Sequence, residues 1–281
     1  MSAIGLGLAA ALCWGLHDIA IRYLSRTVPL KGALFFVLLS GLVFQLVVLG
    51  ATEDLRFPQS EALWLSIASG VAFLVASLGL YYAFERGPVR LVSPIIGAYP
   101  IVSLGLAALT GTVITSGQII AVVLIIAGVG VVAALADTSG DPVPAKGPTI
   151  ILSVISALGF ALTFKLGQTA AELDSELHAT MMTRITALGL LIGLLVIRRE
   201  SPAVGRSAIL PLIIMGALDG IALLAVLSAG RLENPQFASV SSSMFGLFTI
   251  LLAWVLLKER MTAPQWGGVV VAFLGIGYLA L

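Results

Sequence analysis

Away from the outermost residues of the long apolar stretches of this sequence stand five acidic, basic or imidazole side chains: His17, Asp18, Lys165, Arg184 and Asp219. A charge at the centre of a bilayer costs a few kcal/mol on insertion scales, so such a residue faces a cavity or a partner. Asp219 stands near the middle of its stretch, within Gly216-Ala217-Leu218-Asp219-Gly220, too deep for a short side chain to reach the interface. It is the first candidate for substrate binding and for carrying a coupling proton. The bland alternative is a buried acid bonded to a neighbouring helix, with Gly216 and Gly220 serving close packing. Arg184 can take a substrate carboxylate or phosphate bidentately; a structural pair with Asp219 or a snorkelling arginine explains it equally well. Lys165 lies near a stretch end, where snorkelling is the simpler account. Asp18 and His17 are candidates for proton coupling, because a buried carboxylate holds its proton and histidine titrates near neutrality. Neighbours on a helix point about 100° apart, so these two need not share a face. Asp18 can instead pair with Arg22 one turn on.

Uncharged groups point to the same region. Tyr99 precedes Pro100 in the middle of the fourth stretch, where a proline removes a backbone hydrogen bond and can expose a carbonyl to a cavity. In the ninth stretch Ser239, Ser241, Ser242 and Ser243 offer hydroxyls, or simply let helices approach closely. Trp14 is a candidate aromatic wall of the site. Tyr81 and Tyr82 can join it, although a place in the interfacial aromatic belt is the stronger reading. Tyr99, Ser242 and Trp14 thus complete the expected substrate-binding set with Asp219 and Arg184.

The elements that must hold these residues are membrane helices. Hydrophobic residues make up 59% of the 281 and charged residues only 10%, where a soluble domain is about a quarter charged. A helix needs about 20 residues to cross the hydrocarbon, and ten such stretches can be marked: 3–22, 31–50, 62–83, 89–109, 116–136, 148–169, 177–197, 207–229, 236–257 and 263–281. The first carries no Lys or Arg before its apolar run, so it reads as a span and not as a secretory signal. Residues 137–147, DTSGDPVPAKG, have linker composition and divide 1–136 from 148–281, five spans each. Of the 15 Lys and Arg, eleven fall in the loops on one side and only Arg56 and Arg231 on the other. The positive-inside rule then puts the basic loops in the cytoplasm and both termini outside, as in a bacterial inner membrane protein.

The formal charge of +1 leaves no basic excess for nucleic acid. The lone Cys13 and two histidines exclude a disulfide framework and the common structural zinc sites, so no metal or cofactor is expected. No H-E-x-x-H or G-x-S-x-G motif is present, which argues against an intramembrane enzyme. The absence of a P-loop argues against direct ATP drive or an ATPase partner, and no carbonyl-filter signature favours a channel.

At an offset of 147 the second half aligns Pro235 with Pro88, Gln265 with Gln118 and Gly275 with Gly128. Copies with an odd number of spans run in opposite directions, giving an inverted-topology repeat of the kind found in secondary transporters. The opening Trp14-Gly15-Leu16-His17-Asp18-Ile19-Ala20-Ile21-Arg22 resembles the W-G-S-x-F-V-A-I-K start of EamA-type members of the drug/metabolite transporter superfamily, with Asp18 where the family has an aromatic or apolar residue. Leu256-Leu257-Lys258-Glu259-Arg260-Met261-Thr262, then Gln265-Trp266-Gly267 and Gly275, resembles the family's L-G-E-R-L-T signature. In the first half the Glu position is Thr112. Glu259 reads as structural, tying a helix end to a loop. Members are usually drawn with cytoplasmic termini; the charge count here argues the reverse and is the reading kept.

The expectation is therefore an all-α membrane protein of ten helices in two inverted five-helix repeats. The resemblance implies an exporter of amino acids or related metabolites, and a mixed set of acids, arginine and tyrosines suits a zwitterion. The alternative is a drug or organic-cation antiporter, in which a membrane acid alternates between proton and cation beside aromatic faces. Its partners would be the small-molecule substrate and membrane lipids. A monomer suffices to enclose the site, and a dimer is compatible.

Overall fold

The computed structural model describes residues 2–25, 27–109, 113–135, 145–232 and 236–279. Twelve α-helices run in order through it: α1 (Ala3–Leu24), α2 (Leu30–Thr52), α3 (Ser60–Arg86), α4 (Val89–Gly97), α5 (Tyr99–Leu109), α6 (Ser116–Ala134), α7 (Lys146–Leu173), α8 (Glu176–Arg198), α9 (Arg206–Ser228), α10 (Gln236–Ser242), α11 (Phe245–Leu252) and α12 (Ala263–Leu279). Among the described residues there is no strand. The helices fall into ten consecutive segments at the expected positions, because α4 with α5, and α10 with α11, each make one interrupted rod. Eight segments are long and apolar enough to cross a membrane; the described part of α6, Ser116–Val132, is shorter, and α12 has 17 residues. Eight spans are therefore secure by length and composition, where ten were expected. Residues 137–144 of the expected linker and Thr112 lie outside the described residues, as does Pro235 of the repeat alignment, while Lys146 and Gly147, expected in the linker, already belong to α7.

The helix interruptions have a local cause. Pro94 sits within α4 and Pro100 in the first turn of α5, and each lacks the backbone N–H that a continuous helix would use. The chain turns at Ala98 in the first half and at Ser243–Met244 in the second, which are corresponding places in the two copies. Tyr99 and Phe245 are therefore each delivered to the start of a new helix near the middle of the bundle.

The repeat is visible in the packing. The α3 helix packs on α7 as α9 packs on α1, and α2 packs on α9 as α8 packs on α3. Helices α6 and α12 meet each other. A Cβ on Gly128 would collide with the carbonyl of Gly268 and with Ala272, whereas one on Gly275 would press on the carbonyl of Ala121 and on Ile125. Residues 121 and 125 become 268 and 272 at the offset of 147, so this is one contact related to itself by a two-fold axis. The matched glutamines also have one job. Gln118 Oε1 accepts from Thr115 N at 2.9 Å and Gln265 Oε1 from Thr262 N at 2.8 Å, each capping the start of its helix.

Polar contacts gather at the two ends of the bundle. At the basic end Lys31 binds Glu200, and Arg22 donates to the carbonyls of Phe84 (2.6 Å) and Glu85 (3.1 Å) with Glu259 at 3.8 Å. Glu259 itself accepts from the backbone of Val89 at 3.1 Å and Arg90 at 3.4 Å. It caps α4, where unpaired N–H groups and the helix dipole favour an anion. At the acidic end Arg56 grips Asp174 through both guanidinium arms, at 2.9 and 2.5 Å, and holds that carboxyl below its ordinary range. Arg231 pairs with Glu176 and donates to the backbone carbonyl of Asp174.

The α6–α12 contact gives a direct test. Gly128→Leu must part the two helices and should cost about 1–3 kcal/mol, read as a lower Tm of the purified protein. Gly130, with open space around it, is the control: Gly130→Leu should leave Tm nearly unchanged.

Candidate functional site

The site forms where α1, α3, α7, α9 and the two interrupted rods converge. A small buried cavity there is lined by Trp14, His17 and Asp18 from α1, Phe73, Ser77 and Tyr81 from α3, Phe160 and Phe164 from α7, Asp219 from α9, and Tyr99 and Phe245 from the rods, with aliphatic residues of α2 and α3 completing it. It offers about 20 Å³ to the centre of a water molecule, room for one or two waters. A substrate therefore requires the helices to move apart.

Asp219 is the hub of the polar contacts. Its Oδ2 accepts from Arg184 Nη2 at 2.8 Å and its Oδ1 from Trp14 Nε1 at 2.9 Å, so one carboxylate joins α1, α8 and α9. Arg184 is fully buried and lies outside the cavity lining. Its guanidinium sits 5.5 Å from the centre of the Phe73 ring, a cation–π distance. It fits because Gly41 has no side chain: a Cβ there would overlap the guanidinium and approach the carbonyl of Gly216. The structural-pair reading of Arg184 thus describes its observed geometry, and Gly216 does serve packing, since a Cβ there would strike Ser40.

His17 and Asp18, which as neighbours on a helix need not share a face, both line the cavity. His17 Nδ1 lies 3.0 Å from Asp18 Oδ1 and His17 Nε2 lies 3.1 Å from the Tyr81 hydroxyl. The side chains reach around the helix toward each other, which the 100° between their Cα positions does not prevent. Arg22 turns instead to the end of α3, so the Asp18–Arg22 alternative falls. Among the described residues Asp18 Oδ2 has no hydrogen-bond partner, although Asp18 is 1% exposed. Tyr81, expected at the interfacial belt, is buried at 2% exposure, because α3 runs on to Arg86 and carries it inward. Tyr82 is only partly buried, and Lys165 is exposed.

Tyr99 and Ser242 form a strut between the rods. The Tyr99 hydroxyl donates to the carbonyl of Ser239 at 2.5 Å and shares a contact of 2.5 Å with Ser242 Oγ. Tyr99 lines the cavity; Ser242 holds it from behind. Ser241 and Ser243 bond to carbonyls of their own helix, as the close-packing reading has it.

Sequence reasoning named Trp14 and Tyr81 for an aromatic wall and missed its phenylalanines, Phe160, Phe164 and Phe245. Trp14 stacks on Phe164 at 5.5 Å and meets Phe245 edge-on at 6.4 Å, while Phe160 and Phe164 stack at 5.9 Å. The repeat held a signal for it, since Phe164 is His17 plus 147, and Phe245 is Tyr99 plus 146.

Three comparisons with known proteins bear on this arrangement. The family model described as "EamA-like transporter family" matches residues 1–134 and again 147–281. An uncharacterized protein of Methanocaldococcus jannaschii is 30% identical over 132 residues, 46% of this chain and 93% of that protein, so the relative has about the length of one half. A chain of known crystal structure superposes with a TM-score of 0.72 at 18% identity, covering 99% of this chain and 98% of its own. That likeness concerns the fold alone.

Removing one member of a buried pair strands the other charge. Arg184→Met and Asp219→Leu should each destabilise the purified protein by about 3–5 kcal/mol, and the double variant should recover most of that loss in a denaturation cycle. A double variant as unstable as the sum of the singles would mean that the two side chains act independently.

Proposed function

Since this chain belongs to the EamA-like transporter family, we propose that it is a secondary transporter exporting a small polar metabolite by alternating access around the central cavity. The observation that carries this reading is a buried cavity that combines an aromatic wall with the acids Asp18 and Asp219. Inverted repeats supply two states of similar energy, one open to each side, by rocking about such a site. Asp18, Asp219 and the aromatic faces suit an amine.

An amino acid or related zwitterion is the first reading of the substrate. Its ammonium group would take the bare oxygen of Asp18. Its carboxylate would replace Asp219 at Arg184 as the site opens, while Trp14 and Tyr99 cover its side chain. The second reading, an organic cation exchanged for protons, is favoured by one observation: Arg184 already has its charge met by Asp219. A cation could occupy the cavity without disturbing that pair. In either case Asp18, bonded to His17, and Asp219 are the candidates for the coupling proton. The excess of Lys and Arg in the loops at the basic end supports an orientation with that end in the cytoplasm and both termini outside, in what we take to be a bacterial inner membrane.

Counterflow in proteoliposomes tests this with the native protein. A labelled amino acid should exchange saturably, and its methyl ester and its decarboxylated amine should compete at least tenfold more weakly. Equal competition by the amine, with uptake driven by a pH gradient, would select the organic-cation reading. No exchange by any amine-bearing compound would contradict the proposal.

A further inference from the structure

The two ends of the bundle are held by related clasps. At the basic end Lys31, in the first turn of α2, donates to both carboxylate oxygens of Glu200, just beyond α8, at 2.6 and 2.7 Å. At the acidic end His178, in the first turn of α8, faces Glu53, just beyond α2, with Nδ1 3.1 Å from Oε2. Adding 147 turns Lys31 into His178 and Glu53 into Glu200. The two pairs are thus one contact made once by each half, always charged at one end and titratable at the other.

Among the described residues His178 Nδ1 makes no hydrogen bond, although it faces the Glu53 carboxylate. His178 Nε2 lies 2.9 Å from the backbone carbonyl of Asp54, and a carbonyl only accepts, so Nε2 carries a hydrogen. A neutral ring would then turn the bare lone pair of Nδ1 toward the Glu53 carboxylate. A proton on either member of the pair makes that contact attractive, and histidine is the side chain that changes charge near neutrality.

The other ionisable groups at this end are already engaged or stand farther out. From α7 comes Asp174, gripped by Arg56; on α8 itself Glu176 pairs with Arg231 at 3.2 Å. Glu53 also accepts from Ser175 Oγ at 2.8 Å. Asp54 follows α2, and Glu61 stands in the first turn of α3. Because Arg56 holds the Asp174 carboxyl below its ordinary range, that pair keeps its charges near neutrality and supplies no response there.

We propose that His178 and Glu53 form a proton-operated gate at the acidic end, closed when the pair holds a proton and released when it is lost, while Lys31 and Glu200 keep the opposite clasp charged throughout. Its bearing on transport rests on the carrier reading: acid on that side would favour the state closed to it. The gate itself does not, and it can be tested without any substrate.

Spin labels on Ala51→Cys, an exposed position at the end of α2, and Met182→Cys, a part-exposed position near the start of α8, in a Cys13→Ser background would report the distance across the His178–Glu53 contact in the full protein in liposomes. Between about pH 5.5 and about pH 8.5 the longer-distance population should grow roughly threefold, the fold-change of a weak, part-exposed pair. His178→Lys should stay short at both pH values, as the Lys31 clasp does. Glu53→Gln, a change at a part-exposed position that leaves the packed face of α8 intact, offers both a donor and an acceptor to His178 Nδ1 and should therefore give one distance at both pH values. A wild-type distance indifferent to pH, or a pH response that survives in both variants, would overturn the proposal. Because no substrate is used, a failure here is separable from a failure of the transport reading.

Discussion

A guanidinium and a carboxylate can be kept in the centre of an apolar bundle only if each answers the other, since either alone would carry an uncompensated charge into a medium that cannot solvate it. Arg184 and Asp219 meet that condition at 2.8 Å, and much of the surrounding architecture follows from it. Gly41 leaves the space the guanidinium fills, Gly216 brings α9 close to α2, and the Phe73 ring covers the cation. Trp14 reaches across from α1 to the second carboxylate oxygen, so the pair also fixes where the aromatic wall stands. A single ion pair thereby couples α1 and α3 of the first half to α8 and α9 of the second.

The pair is also where the repeat breaks its own symmetry. With a one-residue slip from the offset used elsewhere, Gly216 corresponds to Gly70, which meets Thr183 and Thr186 as Gly216 meets Val37 and Ser40. By the same slip Arg184 and Asp219 correspond to Leu38 and Phe73, both of which line the cavity. At these two positions one copy thus carries hydrocarbon and the other an ion pair, of which Asp219 reaches the cavity. The asymmetry makes an oriented site from a symmetric scaffold, as an amine-bearing substrate with distinct ends would need. The end clasps repeat the logic, with lysine in one copy and histidine in the other.

Most of the scaffold was legible in the sequence because membrane helices announce themselves by length and hydropathy, and loop charges and the Gln118–Gln265 and Gly128–Gly275 matches exposed the duplication. The depth filter also found Asp219, Arg184, Asp18 and His17, since an ionisable residue amid hydrocarbon stands out against its neighbours. What it could not resolve was which residues answer one another. Whether Arg184 faces substrate or Asp219 depends on the rotation of α8 about its axis, and the apolar faces there toward lipid and toward core look alike. The phenylalanines of the aromatic wall stayed hidden for the same reason, because phenylalanine is as much at home in lipid as in a cavity. Tyr81 was drawn to the interface by its type and its place near a helix end, whereas its hydroxyl is met inside by His17.

The central claim is that this buried cavity is reached from each side of the membrane in turn. Ser77 lines it, is 6% exposed, and can be replaced by cysteine in the Cys13→Ser background. Labelling Ser77→Cys with a membrane-impermeant thiol reagent, added to one face or the other of oriented proteoliposomes, measures that access. The account predicts slow reaction from both faces. Reaction from one face only, or from neither, would contradict alternating access and leave the cavity a packing defect around an ion pair.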